Sequence, residues 1–439
     1  MLIDIRRFSE QVNSKTFSSI GLAKYLRKSI NDLQFILFNL TELGFVIYDA
    51  DRQLINCNEK LFNYIDNRSG KKDYDVLIVN SNASTNARLS LTSLDLKIFG
   101  IDRVVLSLKN KVWIKPQGNS LTIKKNRDIN FDGLITAGKT QYYGSDFSFI
   151  YNDFKLNMAH CDSMFIWADY LESKRKGSLV RSLSNIRSLE GYIEIDEPDN
   201  KSGVDTSHHE FPILHSNTPT YVYYDDPSIQ KGIYKRENFM FIVEPFEMDS
   251  LDEFTNEGLN LKGLFKSGGI FPDFTESLMI MPDYSLGFIK NTPVDGFKIY
   301  NQLASYDNEI RLSNVGLKGT GTIEFFTSTA ISDDLTFFPD SVTAIAHTYL
   351  NKKQESDPEI PLVKGTDCKV SYIPKESLLY AYSLDSNFLF FDDEDSDLMG
   401  ELKLGYDGII GQGIMRFGSG EVESYRYTYE TDAILADTS

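Results

Sequence analysis

Glu309-Ile310-Arg311-Leu312 is followed, after three residues, by Gly316-Leu317-Lys318-Gly319-Thr320-Gly321-Thr322-Ile323-Glu324-Phe325. Later in the chain Glu401-Leu402-Lys403-Leu404 is followed, after the same gap, by Gly408-Ile409-Ile410-Gly411-Gln412-Gly413-Ile414-Met415-Arg416-Phe417. The offset is 92 residues throughout (Gly316 to Gly408), with no insertion, so 308–325 and 400–417 are near-repeats. Each lead-in alternates apolar and charged residues, which puts one class on each face of a strand. Glycine then permits tight bends and close backbone approach between strands. A phosphate cradle would instead need its glycines to open onto a helix N-terminus, and strand-like residues follow here. Weaker relatives are Phe131-Asp132-Gly133-Leu134-Ile135-Thr136-Ala137-Gly138 and Leu261-Lys262-Gly263-Leu264-Phe265-Lys266-Ser267-Gly268. Gly133, Gly138, Gly263, Gly268, Gly316, Gly319, Gly321, Gly408, Gly411 and Gly413 are therefore read as structural turns, with Gly316, Gly319, Gly408 and Gly411 in equivalent bends. Recurrent units of this kind point to stacked β layers or a solenoid.

Elsewhere, period two recurs across the chain. Ile193 and Ile195 alternate with acids, and Phe147, Phe149 and Tyr151 lead through Asn152-Asp153 to Phe154, Leu156 and Met158. Tyr425, Tyr427 and Tyr429 alternate with Arg426, Thr428 and Glu430, which predicts one tyrosine-bearing face. A weaker helix is expected within Met164–Leu183, broken near Lys174-Arg175-Lys176-Gly177.

The N-terminal part reads differently. Leu22, Leu26, Ile30, Leu33, Leu37 and Leu40 recur at helical spacing, so one helix is expected over 21–43, with Gly44 as its C-cap. Phe45-Val46-Ile47-Tyr48, a turn at 49–52 and Leu54-Ile55 read as a hairpin. A helix followed by a hairpin is compatible with a winged-helix reader of DNA, but no basic recognition helix is visible and the chain is acidic. The reading favours a helix-plus-hairpin cap over 1–75 on a repetitive β region over 76–439. The fold class is mainly β, an elongated stacked β-sheet or β-solenoid, with tandem β-sandwiches as the rival.

Composition agrees. The 439 residues include 30 Phe and 24 Tyr against 2 Trp, a bias that suits sheets. The formal net charge of −18 argues against nucleic acid and against adsorption to anionic lipid. Neither a signal peptide nor an apolar run long enough for a membrane helix is visible. The closing residues follow a strand pattern with no turn or polar tail, so a longer parent chain is expected and the missing signal weighs little. Cys57, Cys161 and Cys368 lie far apart and are expected to be free buried thiols.

Candidate chemistry is sparse. His208-His209 and His215, with Asp205 or Glu210, lack zinc spacing, so a solvated loop is the better reading. His160-Cys161-Asp162 are neighbours on a strand and point to opposite faces. Asp392, Asp393, Glu394, Asp395 and Asp397 read as a solvated acidic turn. Asp225-Asp226 beside Tyr223-Tyr224 is the best glycosidase-like carboxylate pair, but adjacent residues diverge. Neither a catalytic, metal nor cofactor site is assigned.

Several stretches carry a resemblance. They are Val112-Trp113-Ile114-Lys115-Pro116, Ile123-Lys124-Lys125-Asn126-Arg127-Asp128, Phe131-Asp132-Gly133 with Ala137-Gly138, Ser228-Ile229-Gln230-Lys231-Gly232-Ile233-Tyr234, Gly268-Gly269-Ile270-Phe271-Pro272 and Ala436-Asp437-Thr438. Together they resemble a family of very large, uncharacterised proteins of Bacteroidetes-type bacteria. The resemblance implies an envelope protein of extended β architecture, periplasmic or at the cell surface, and transfers no activity. The expected role is a non-catalytic structural or interaction one, with other envelope proteins, glycan or lipid as partners. The alternatives are an open β-groove lipid conduit and a β-helical enzyme acting on polysaccharide.

Overall fold

A computed structural model of the chain describes residues 1–75, 77–171, 177–301 and 304–437. The N-terminal region runs α1 (Leu2–Gln11), β1 (Thr16–Ser18), α2 (Ser19–Leu26), α3 (Ile30–Glu42), β2 (Val46–Asp49), β3 (Leu54–Cys57) and α4 (Glu59–Arg68). The expected hairpin is β2–β3. The expected single helix is two. Arg27 takes a left-handed conformation (φ 53°, ψ 40°) that ends α2, and the Ser29 hydroxyl accepts the Asp32 N–H to cap α3. The leucine spacing runs across the break because Leu22 on α2 and Leu33, Leu37 and Leu40 on α3 all face one core. That core, which includes Ile5, Phe8, Phe17, Val46, Ile55 and Leu61, is separate from the core of the β body. Sheet order β1-β3-β2, with two helices joined by a short turn ahead of the hairpin, is winged-helix connectivity.

The rest is mainly β. Its strands form one large antiparallel sheet, from Ala87–Leu89 to Ile434–Ala436. The two end strands each have one partner among the described residues, Leu96–Phe99 and Gly420–Tyr429 respectively. The segment expected to hold a weaker helix is instead the end of strand Lys155–Asp169 and strand Leu179–Arg181, because Met164, Ile166 and Ala168 alternate inward. Lys174, Arg175 and Lys176 lie outside the described residues.

Three long-strand triplets punctuate this sheet. The first is Ile129–Ala137, Thr140–Ile150 and Lys155–Asp169. The inner one is Ala304–Ser313, Gly316–Phe325 and Ser328–Phe337. The outer one is Asp393–Gly405, Gly408–Phe417 and Gly420–Tyr429. The strands Gly316–Phe325 and Gly408–Phe417 share the 92-residue offset end to end, as do Ser328–Phe337 and Gly420–Tyr429. A bulge interrupts the same pairing in both. Gly319 faces Leu335 and Gly321 faces Ser332; Gly411 faces Tyr427 and Gly413 faces Ser424. In the first triplet Gly133 faces Gly144 while Phe131 faces Phe147, again one residue more on the later strand.

The bulge marks a branch. Beyond it, residues 335–337 pair with Val342–Ala346, whereas 328–331 pair with Thr348–Asn351. One arm continues through Cys368–Ile373 and Leu378–Tyr382, the other through Val363–Gly365 and Phe388–Phe390. Both arms rejoin on strand Asp393–Gly405. The bulge bends the long strand so that its halves serve different arms. The arms close around Phe337, Tyr349, Val370, Tyr372, Phe388, Phe390 and Leu402, all fully or nearly fully buried. The chain of 50.0 kDa exposes 22899 Å², against about 17,000 Å² for a compact monomer of that mass. The excess fits a chain with two separate cores and one large extended sheet.

Candidate interaction surface

The side of the outer triplet that faces away from the core is shaped by strand alternation. Leu379, Ala381, Leu402, Leu404 and Ile409 point inward and are buried. Their neighbours point out. Tyr380 lies across from Lys403, and Lys403 from Ile410; Tyr382 lies across from Glu401, and Glu401 from Gln412. The Tyr380 and Tyr382 rings are 6.4 Å apart and nearly parallel, at 8°. The Lys403 ammonium lies 5.1 Å from the Tyr380 ring centroid. The Gln412 amide donates to the Glu401 carboxylate at 2.7 Å, and the Tyr380 hydroxyl donates to Glu376 at 2.6 Å. That last bond, to an anion, pushes the Tyr380 phenol up to about 12. Burial, together with Glu401, also raises Tyr382.

The bulge completes the surface. Its extra residue turns Tyr425 outward, 81% exposed, while Tyr427 and Tyr429 stay in the core. The single tyrosine face expected over 425–429 is therefore broken. A depression of about 270 Å³ results, lined by Glu401, Lys403, Ile410, Gly411, Gln412, Tyr425 and Arg426. It joins an exposed ring to a cation, a carboxylate and an amide, which equips it to recognise a polar ligand with an apolar face.

Gly319 and Gly411 lie inside strands rather than in bends. A Cβ on Gly319 would lie 2.4 Å from the Tyr306 hydroxyl, and one on Gly411 would lie 2.2 Å from that of Tyr429. Their role is to admit core tyrosines. Gly316 and Gly408 begin strands, both at φ 115°. Gly133, Gly321 and Gly413 sit in strands at φ 135°, 150° and 128°, opposite the bulges. Gly263 is mid-strand, while Gly138 and Gly268 are in turns.

The other candidates stay apart. His208 lies 3.6 Å from Asp205 and 3.7 Å from Glu210. His215 lies 3.4 Å from Glu194 and 3.1 Å from Glu247, stacked on Tyr192 at 4.5 Å. Among the described residues no three of His, Cys, Asp and Glu converge as a metal-holding group. Asp225 pairs with Arg236 at 2.5 Å, whereas Asp226 accepts from the Ser228 N–H and hydroxyl at 2.8 and 2.6 Å, which lowers its pKa. The pair thus serves two separate partners. His160 is exposed and Cys161 buried, the thiol pushed up to about 12 by burial. Cys57 and Cys368 are likewise buried and free. In the acidic segment Asp393 accepts from the Asp395 N–H and the Ser396 hydroxyl, Asp392 pairs with Lys364, and strand Asp393–Gly405 starts within it.

Sequence reasoning set aside the winged-helix possibility, and the structure restores its connectivity. The outward side of α3 carries Asn31, Asp32, Phe35, Phe38, Asn39 and Glu42, with Phe35 72% exposed. Two acids and no base on that side do not suit a phosphate backbone. The helix breaker that would have revealed the motif is Ser29-x-x-Asp32, a readable cap. Compared with protein-family models, with curated proteins and with solved structures, the chain finds no match.

Proposed function

We propose that the chain is a non-catalytic structural or interaction protein of the bacterial envelope, periplasmic or surface-exposed. The observation that carries the role is the repetition of one long-strand triplet along a continuous antiparallel sheet whose interior stays filled. Repetition yields length and a continuous face rather than a single catalytic pocket. The envelope setting rests on the resemblance. The rival lipid conduit needs an open apolar channel. Of the two stripes that would line it, Phe147-Phe149-Tyr151 and Tyr425-Tyr427-Tyr429, Tyr151 is half-buried and Tyr425 faces out, while Phe147, Phe149, Tyr427 and Tyr429 are 1%, 2%, 1% and 6% exposed inside a packed core, which favours the scaffold. The tyrosine-bearing depression favours glycan as a second partner class, since a ring flanked by Lys403, Glu401 and Arg426 suits a hydroxyl-rich chain. Fractionation of cells with an antibody to the chain tests the setting: the envelope fraction is expected, and a cytosolic location defeats it. Incubation of purified protein with envelope glycan tests the role, and depolymerisation would contradict it.

A further inference from the structure

The outer triplet exposes what the inner copies bury. Phe417 is 47% exposed, yet its counterparts are Phe325 at 1% and Ala137 at 0%. Val422 is 37% exposed, against Ala330 at 1% and Tyr142 at 0%. Ala436 is exposed where Ala344 is 8% exposed, and Leu435, beside it on the same edge strand, is 54% exposed. The correspondences follow from strand position. Ala137 faces Thr140, Phe325 faces Ser328 and Phe417 faces Gly420 across equivalent two-residue turns.

The inner copy shows what covers these positions. Tyr349 of strand Thr348–Asn351 lies directly across from Ala330. Tyr372 of strand Cys368–Ile373 packs on Phe325 at 4.8 Å. Val342–Ala346 pairs along its outer side with Cys368–Ile373. In the outer copy no described strand pairs with the far side of Gly420–Glu423 or of Ile434–Ala436. Unpaired N–H and C=O groups beside exposed Phe417, Val422 and Leu435 form a template for strand addition.

We infer that this face is a docking surface for a further unit of the chain's own 92-residue type. Two of its strands, equivalent to Thr348–Asn351 and Cys368–Ile373, would add antiparallel to Gly420–Glu423 and Ile434–Ala436. The occupant is chosen by continuity with the inner junction, where strands of that kind cover the same positions. This inference rests on the repeat and not on the envelope reading, so a cytosolic location would leave it standing.

The test is an extended chain in which residues 345–439 are joined after Ala436, which keeps the 92-residue register. Val422→Cys is introduced at its original position in this chain and in the 439-residue chain. Maleimide labelling of the introduced thiol is expected at the rate of an open thiol in the 439-residue chain and at least about 100-fold slower in the extended one. Equal rates in the two chains would overturn the inference. So would slow, concentration-dependent labelling of the 439-residue chain, because a second copy would then occupy the face. If the extended chain is insoluble, a peptide of residues 346–373 is added in trans to the 439-residue chain carrying Val422→Cys. Saturable slowing supports the inference, and labelling unchanged by the peptide overturns it.

Discussion

Gly321 and Gly413 sit opposite the bulges that interrupt strands Ser328–Phe337 and Gly420–Tyr429, and they accommodate them through backbone geometry. Both have positive φ, and a Cβ would lie 2.1 Å from the Asp307 carbonyl oxygen at Gly321 and 2.3 Å from that of Met399 at Gly413. Gly321→Ala should cost about 3 kcal/mol, from strain and overpacking together. Gly418→Ala, at positive φ in open space, should cost about 1 kcal/mol. Urea denaturation of the two variants checks the order. The Tyr349 hydroxyl is buried without a hydrogen-bond partner, so Tyr349→Phe should leave stability unchanged or raise it by about 1 kcal/mol. A marked loss would show that the hydroxyl has a partner after all. The glycines were legible as a repeat, but their separate duties were not, because a strand-embedded glycine that admits a tyrosine reads like a turn glycine.

Burial also sets a direction with pH at single residues. Cys57 and Cys368 are pushed up to about 11, Cys161 to about 12 and Tyr234 to about 12, all chiefly by desolvation. The folded chain therefore holds these protons when the unfolded chain has released them. Their contribution is complete below the ordinary thiol value of 9.0 and is lost as pH rises through the raised values. Stability should be flat from pH 7 to 8 and fall steadily above pH 9. A rise in stability across that range would refute the assignment.

Among the secondary-structure elements, the alternation that announced strands held over segments such as Glu309–Leu312 and Glu401–Leu404. It failed at Tyr425 because one extra residue reverses the faces on either side of it, and a bulge leaves little mark in a single strand's composition. It failed at Met164–Leu183 because apolar positions there also fit a helix. In the N-terminal unit the leucine spacing hid the break at Arg27, since both helices turn their leucines to one core. Leu37 is fully buried in that core, so Leu37→Ala should destabilise the unit by about 3 kcal/mol. Because the two cores are separate, hydrogen exchange should accelerate in 1–68 and remain unchanged in the strands beyond 129. Uniform acceleration would mean that the two cores unfold together.

For the molecule as a whole, a mainly β chain with an acidic surface was readable from composition and period. The branching arms were not, because pairings such as Val342–Ala346 with Cys368–Ile373 join segments that no local pattern links. Between the inner and outer triplets the arms carry one set of long strands to the next, and length is the property that the proposed scaffolding role requires. Small-angle X-ray scattering from the monomer reads that length. A compact chain of 439 residues has a radius of gyration of about 22 Å. The stack predicts a value at least about a third larger, with a distance distribution skewed to long vectors. A radius within about a tenth of the compact value, with a symmetric distribution, would rule the stack out.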